Sequence, residues 1–149
     1  MLVVREAGSE DIDILYDLIM AIAKHHDQEK YVLTTKNELL ESGFSSSPKF
    51  GAFLAEVDGR IAGYVSYGWN YSIWLGSSYI NIDDVFVWEE YRGQKVGEAL
   101  MYKVRDKCKQ MGFERVKWEV EKDNHQAIKF YQRLGADVDI KGFCRWNVE

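Results

Sequence analysis

Two adjacent acids, Asp83 and Asp84, stand in an apolar, β-branched run that ends at Val87. A glycine-bearing turn follows, Tyr91-Arg92-Gly93-Gln94-Lys95-Val96-Gly97-Glu98, and opens a long amphipathic segment. A carboxylate in such a place can take a proton from a bound ammonium group. A turn feeding a helix start leaves backbone N–H groups unpaired and aligned, which with the helix dipole makes an anion site. Gly93 and Gly97 let a phosphate-bearing ligand come close to the backbone, and Arg92 and Lys95 add positive charge. The spacing matches neither the P-loop nor the dinucleotide fingerprint.

A second constellation lies about thirty residues downstream, Asn124-His125-Gln126-Ala127-Ile128-Lys129-Phe130-Tyr131, closed by Leu134-Gly135-Ala136. Asn124 can cap a helix that carries Ala127, Phe130, Tyr131 and Leu134 on one stripe, with Gly135 as its stop. Other chemistries find no residues to carry them. There is no nucleophile elbow, no His-Glu-x-x-His, and no cysteine–histidine metal spacing. The cysteines, Cys108 and Cys144, suggest neither a disulfide framework nor a redox pair, which fits a reduced, cytoplasmic setting.

The elements that must position these residues follow from periodicity. Leu2 to Arg5 reads as a strand. Ser9 can cap a helix with Ile12, Leu15, Tyr16, Ile19, Ile22 and Ala23 on one stripe. Thr35 and Glu38 form a capping box for a second helix that stops near Gly43. Phe50–Val57 and Arg60 to about Tyr71 flank Asp58-Gly59, a strong hairpin signal. Tyr79–Val87 is the next strand. The long helix buries Val96, Leu100, Val104, Cys108 and Met111 and stops at Gly112. Val116, Trp118 and Val120 alternate as a strand, and Cys144–Val148 reads as the last one. The strand–helix–strand unit from Tyr79 to Val120 implies a parallel crossover. The whole is an α/β (α+β layered) fold in one domain, residues 1–149, with ligands expected beyond the carboxyl ends of the strands.

Strict alternation puts Asp83 on one face with Asn81 and Val85, and Asp84 on the other with Ile80, Ile82 and Phe86. A bulge reverses that parity. Composition agrees with a folded, water-soluble protein: 46% of residues are hydrophobic and the net charge is −5. Basic residues are scattered, so nucleic acid is not an expected partner, and no run is long enough to span a membrane. An acidic surface draws a small cationic substrate.

The glycine turn resembles the coenzyme A pyrophosphate loop of the GNAT superfamily of N-acetyltransferases, Gln/Arg-x-x-Gly-x-Gly/Ala. Arg92 and Gly97 match it, and Lys95 stands where the middle glycine is usual. The Asn124–Ala136 segment is similar to the element that closes the acetyl-CoA site in the same superfamily. Ile82-Asp83-Asp84-Val85-Phe86-Val87, and Val32–Lys36 with Leu39–Phe44, look most like the spermidine/spermine (diamine) acetyltransferases. Two departures fall on substrate-contacting positions: Lys24-His25-His26 replaces Lys-Tyr-Glu, and Asp83 replaces glutamate.

The resemblance implies a mixed, mostly antiparallel sheet of about six to seven strands flanked by about four helices. It implies direct transfer from acetyl-CoA to a primary amine of a polyamine or diamine, in a ternary complex within a homodimer. The backbone of Val85, Phe86 and Val87 would pair with pantetheine, and Arg92, Gly93, Gln94, Lys95, Val96, Gly97 and Glu98 would hold the pyrophosphate. Asn124, Ala127, Phe130 and Tyr131 would complete the coenzyme site. Tyr131 would be the general acid for the thiolate and Asp83 the proton acceptor, with His25, His26, Asp27, Asp83 and Asp84 around the amine. The alternatives are another amine, such as thialysine or an amino acid, and a non-catalytic acyl-CoA-binding regulator.

Overall fold

The computed structural model describes residues 1–148, in two compact units, Met1–Trp118 and the segment from Glu119 onward. The first unit is built on a five-stranded sheet in the order β1-β2-β3-β4-β5. These strands are β1 (Leu2–Glu6), β2 (Gly51–Val57), β3 (Arg60–Ser72), β4 (Ser77–Val87) and β5 (Val116–Lys117). The first four pair antiparallel and β5 joins β4 in parallel, as the crossover expectation requires. Asp58 and Gly59 turn β2 into β3 with φ of 50° and 80°, the pair of left-handed residues that a tight hairpin needs.

Helices cover both faces. Leu15 and Leu18 of α1 (Ile12–His25) pack with Ala52, Leu54 and Tyr64. α2 (Lys36–Gly43) lies beside α1, its start fixed by Glu38 N–H donating to Thr35 Oγ1 at 3.1 Å. α3 (Val96–Gln110) crosses β2, β3 and β4, burying Val96, Leu100, Met101, Val104 and Cys108. Cys108 is a core residue, with its Sγ 3.4 Å from the carbonyl oxygens of Phe113 and Arg115.

One helix boundary differs from the sequence expectation. Ser9 does not cap α1: residues Ser9–Asp11 form a short 3-10 turn, and the buried Asp11 carboxylate accepts from Gly8 N–H and from Arg5. An acid with a guanidinium partner outcompetes a serine hydroxyl for the local donors.

The strand count is five among the described residues, below six to seven. The parallel pairing of β5 covers only Ile80–Val116 and Asn81–Lys117, and it ends beside an irregularity in β4 at Asp83. Cys144–Val148 is not a strand, because alternation alone cannot hold one without a partner. Trp146 and Val148 are each 91% exposed.

The second unit contains α4 (His125–Arg133). Asn124 Oδ1 accepts from Ala127 N–H at 3.1 Å, and Gly135, at φ 99°, receives the chain at the other end. Among the described residues no helix is long and apolar enough to cross a membrane.

Candidate active site

The register between β3 and β4 slips by one residue at the acid pair. Tyr67 lies opposite Ile82, yet the preceding Ser66 lies opposite Asp84, so Asp83 is the extra residue of a β-bulge. Cross-strand partners share a face. Asp84 therefore leaves the face of Ile80 and Ile82 and joins Ser66, Tyr64 and Phe86, on the side covered by α1. Asp83 stays on that side as well, its Oδ1 accepting from Asn81 Nδ2 at 3.3 Å. The bulge thus brings both carboxylates to one face, which an unbroken strand forbids.

Burial lifts the Asp83 carboxyl above its usual range, the charge of Asp84 adds to this, and the Asn81 contact opposes it. Burial also lifts Asp84, with Tyr64 and the charge of His26 pulling the other way. A carboxylate raised toward neutrality is the better proton acceptor at neutral pH. His26 follows the last residue of α1, so the C-terminal end of that helix approaches the bulge.

Between α1 and the end of β4 lies an open cavity of about 680 Å³, lined by neither acid but by Phe86, which shares a face with Asp84. Its apolar part is Met20, Ala21, Phe86 and Trp88, the last two rings meeting edge to face at 5.0 Å. Its ionisable groups are Asp17, Lys24, His25, Glu89 and Arg92. Of the expected substrate residues, the fold brings His25 to this cavity and His26 to Asp84. Asp27 turns the chain at φ 55° and does not line it.

The turn before α3 holds two left-handed residues. Gly93 has φ 79°, and Lys95, at the helix boundary, adopts φ 64° and ψ 21°, a left-handed conformation natural to glycine. The departure in sequence is therefore a lysine bearing a glycine's backbone. Arg92 Nε donates to Val87 O at 3.2 Å, and Gln94 Nε2 donates to Glu90 O at 3.3 Å, so both side chains also brace the turn. Val96 is buried and offers a ligand only its backbone, while Gly97 and Glu98 stand in the first turn of α3. Val85 faces Val65, and Phe86 faces Tyr64. Beyond Asn81, β4 has no strand partner but β3 among the described residues, leaving the Val85–Val87 edge open to an added strand.

In the second unit Asn124 and Ala127 form the cap of α4, and the rings of Phe130 and Tyr131 stand 5.3 Å apart. Burial pushes the Tyr131 hydroxyl above its ordinary range, so it stays protonated at neutral pH.

Sequence reasoning missed Asp17, Trp88 and Glu89. Asp17 stands outside the apolar stripe of α1, so the periodicity did not mark it. Tyr64 was missed because an aromatic in a central strand reads as core.

The chain belongs to the acetyltransferase (GNAT) family, whose model matches residues 12–136, and it is an N-acetyltransferase. It is 28% identical over 141 residues to a thialysine N-epsilon-acetyltransferase of Bos taurus, covering 89% of this chain and 82% of the relative. Its fold is similar to that of an aminoglycoside acetyltransferase from an uncultured soil metagenomic sample. That match has a TM-score of 0.84 and 17% identity and covers 99% of this chain and 97% of the other. A further match, at TM-score 0.78 and 18% identity over 99% of each chain, is AAC(6')-Iy in complex with a bisubstrate analogue of coenzyme A.

Proposed function

We propose that the chain transfers the acetyl group of acetyl-CoA directly to a primary amine of a small diamine-like substrate. The observation that carries this reading is the bulge that sets Asp83 and Asp84 side by side, on the face that carries Phe86, a lining residue of the open cavity. The Val85–Val87 edge would pair with pantetheine, and the turn from Arg92 to Glu98 would take the pyrophosphate at the start of α3. A carboxylate of the pair accepts the ammonium proton, and the freed amine attacks the thioester carbonyl. Tyr131, kept protonated, supplies the proton to the departing thiolate. By family likeness the enzyme would work as a cytoplasmic homodimer.

A second reading concerns the acceptor. Lys24 and Arg92 line the cavity beside Asp17 and Glu89. A polyamine needs anions along its length, whereas a carboxylate-bearing diamine gains from cations at its far end. The likeness to a thialysine acetyltransferase supports that alternative. Thiol release from acetyl-CoA with spermidine, a plain diamine, thialysine, lysine and ornithine decides between them. No thiol release with any amine would refute the proposal.

A further inference from the structure

Tyr64 Oη is the one buried side-chain polar atom without a hydrogen-bond partner among the described residues. Its residue is 1% exposed, in the core where α1 meets β2 and β3. An enclosed hydroxyl left unpaired costs stability. Phenylalanine would fill the same space without that cost, so the reason for the hydroxyl lies in what it faces. Across the ladder Tyr64 is opposite Phe86, and Asp84 stands two residues before Phe86 on the same face. Burial raises the Tyr64 hydroxyl above its ordinary range, the charge of Asp84 adds to this and that of Asp83 adds less, and the phenol in turn favours the ionised Asp84 carboxylate. Asp83 differs: it is the more exposed of the two acids and is engaged by Asn81.

We infer that Asp84, not Asp83, receives the proton of the acceptor ammonium, and that Tyr64 is its positioning residue. This rests on the amine-acetylation reading above and goes beyond it. A slight shift of the carboxylate lets the phenolic O–H donate to one oxygen, which fixes the rotamer and leaves the other oxygen toward the substrate. In the step, an N–H bond of the ammonium breaks and an O–H bond forms on Asp84, the electron pair remaining on nitrogen. That pair forms the C–N bond to the thioester carbonyl. The C–S bond breaks with its pair leaving on sulfur, which takes the proton of Tyr131; the second proton of the attacking nitrogen passes to water, from which Tyr131 is reprotonated, and Asp84 returns its own proton to water after release. Tyr64 touches no substrate, because its oxygen is sealed from solvent. The groups that face Asp84 are Asp83 on its own strand, Tyr64 on β3 and His26 after α1.

The test compares Asp84→Asn, Asp83→Asn and Tyr64→Phe in the full chain. Asp84→Asn should lower kcat at least about a hundredfold, the low end for a lost general base, with Asp83→Asn the smaller loss. Tyr64→Phe should lower kcat with KM nearly constant and move the acidic limb of kcat/KM to higher pH, since the carboxylate loses a donor. A readout independent of turnover is the ¹³C carboxyl NMR titration of the resting protein. There the Asp84 midpoint should rise in Tyr64→Phe while that of Asp83 stays. An unchanged Asp84 titration in Tyr64→Phe, or a larger loss from Asp83→Asn than from Asp84→Asn, would overturn the assignment. Absent turnover in the wild type refutes only the amine reading, and the titration still decides the Tyr64–Asp84 pairing.

Discussion

Ser66 lies opposite Asp84, one residue further along β4 than an unbroken ladder from Tyr67 and Ile82 would place it. That single slip puts two raised carboxylates on one face, and it has a thermodynamic consequence. A carboxyl whose folded pKa exceeds its unfolded value binds more protons in the native state between the two values. Stability then falls as pH rises from about 4, the unfolded value, through the raised folded one. Above both values the penalty is complete. Asp84→Asn should therefore raise the unfolding temperature at pH 7, and the gain should vanish as pH falls to the unfolded value. Thermal denaturation of both proteins across pH checks this. Equal midpoints at pH 7 would mean that burial does not penalise Asp84.

Lys95 carries a left-handed backbone at the start of α3. For a residue with a Cβ this conformation costs about 1 kcal/mol, which glycine avoids. Lys95→Gly should stabilise the fold by up to that amount, less the extra entropy glycine has when unfolded. Coenzyme affinity should change little if the lysine serves through its N–H. A urea titration measures the first and calorimetry the second. A large loss of affinity would show that the ammonium itself holds the pyrophosphate.

The bulge also marks how far the sequence could be read. Elements with strong local rules were legible: the Thr35 cap, the Asp58-Gly59 turn, the apolar seam of α3, and Asn124 with Gly135 around α4. The glycine turn was legible because few other loops tolerate positive φ. Which acid faces which side was not, since parity depends on one inserted residue whose cause is the pairing partner. Cys144–Val148 misled for the related reason that alternation describes a strand's faces and not its neighbour. Tyr64 stayed hidden because a buried ring and a ring with an unpaired hydroxyl share one letter.

Gly97 stands in the first turn of α3, where a glutamate is compatible with the helix and favoured by its dipole. Gly97→Glu should therefore fold normally, yet meet the pyrophosphate with a bulky anion. We expect acetyl-CoA binding to weaken by more than about 1.4 kcal/mol, roughly tenfold. Unchanged affinity by calorimetry would show that the turn is not the phosphate site.

Tyr131 is lifted by burial above the ordinary tyrosine range, so the hydroxyl remains a proton donor throughout neutral pH. Tyr131→Phe should lower turnover roughly a hundredfold and leave acetyl-CoA affinity nearly unchanged, since only the hydroxyl is lost. In the wild type, any alkaline limb owed to this group should fall above the usual value of about 10. Normal turnover in the variant would return Tyr131 to a packing role.

Lys24 sets the most direct test of the acceptor, because it lines the cavity from the last turn of α1 beside Arg92 and opposite in sign to Asp17 and Glu89. If the acceptor carries a carboxylate at its far end, Lys24 attracts that end. If the acceptor is a plain diamine or polyamine, the same lysine repels it. Lys24→Glu should then move KM in opposite directions for the two classes, upward for thialysine or ornithine and downward for spermidine. An exposed charge pair contributes up to about 1 kcal/mol, so the change should be roughly two- to fivefold. Salt provides the control: raising ionic strength should screen the effect and bring variant and wild type together. Steady-state assays of both amine classes at two salt concentrations give the answer. A KM that rises only for the carboxylate-bearing amines, with the higher wild-type kcat/KM on those same amines, would settle the substrate as an amino acid with a side-chain amine. The opposite pattern would establish the polyamine, and identical shifts for both would show that Lys24 does not face the acceptor.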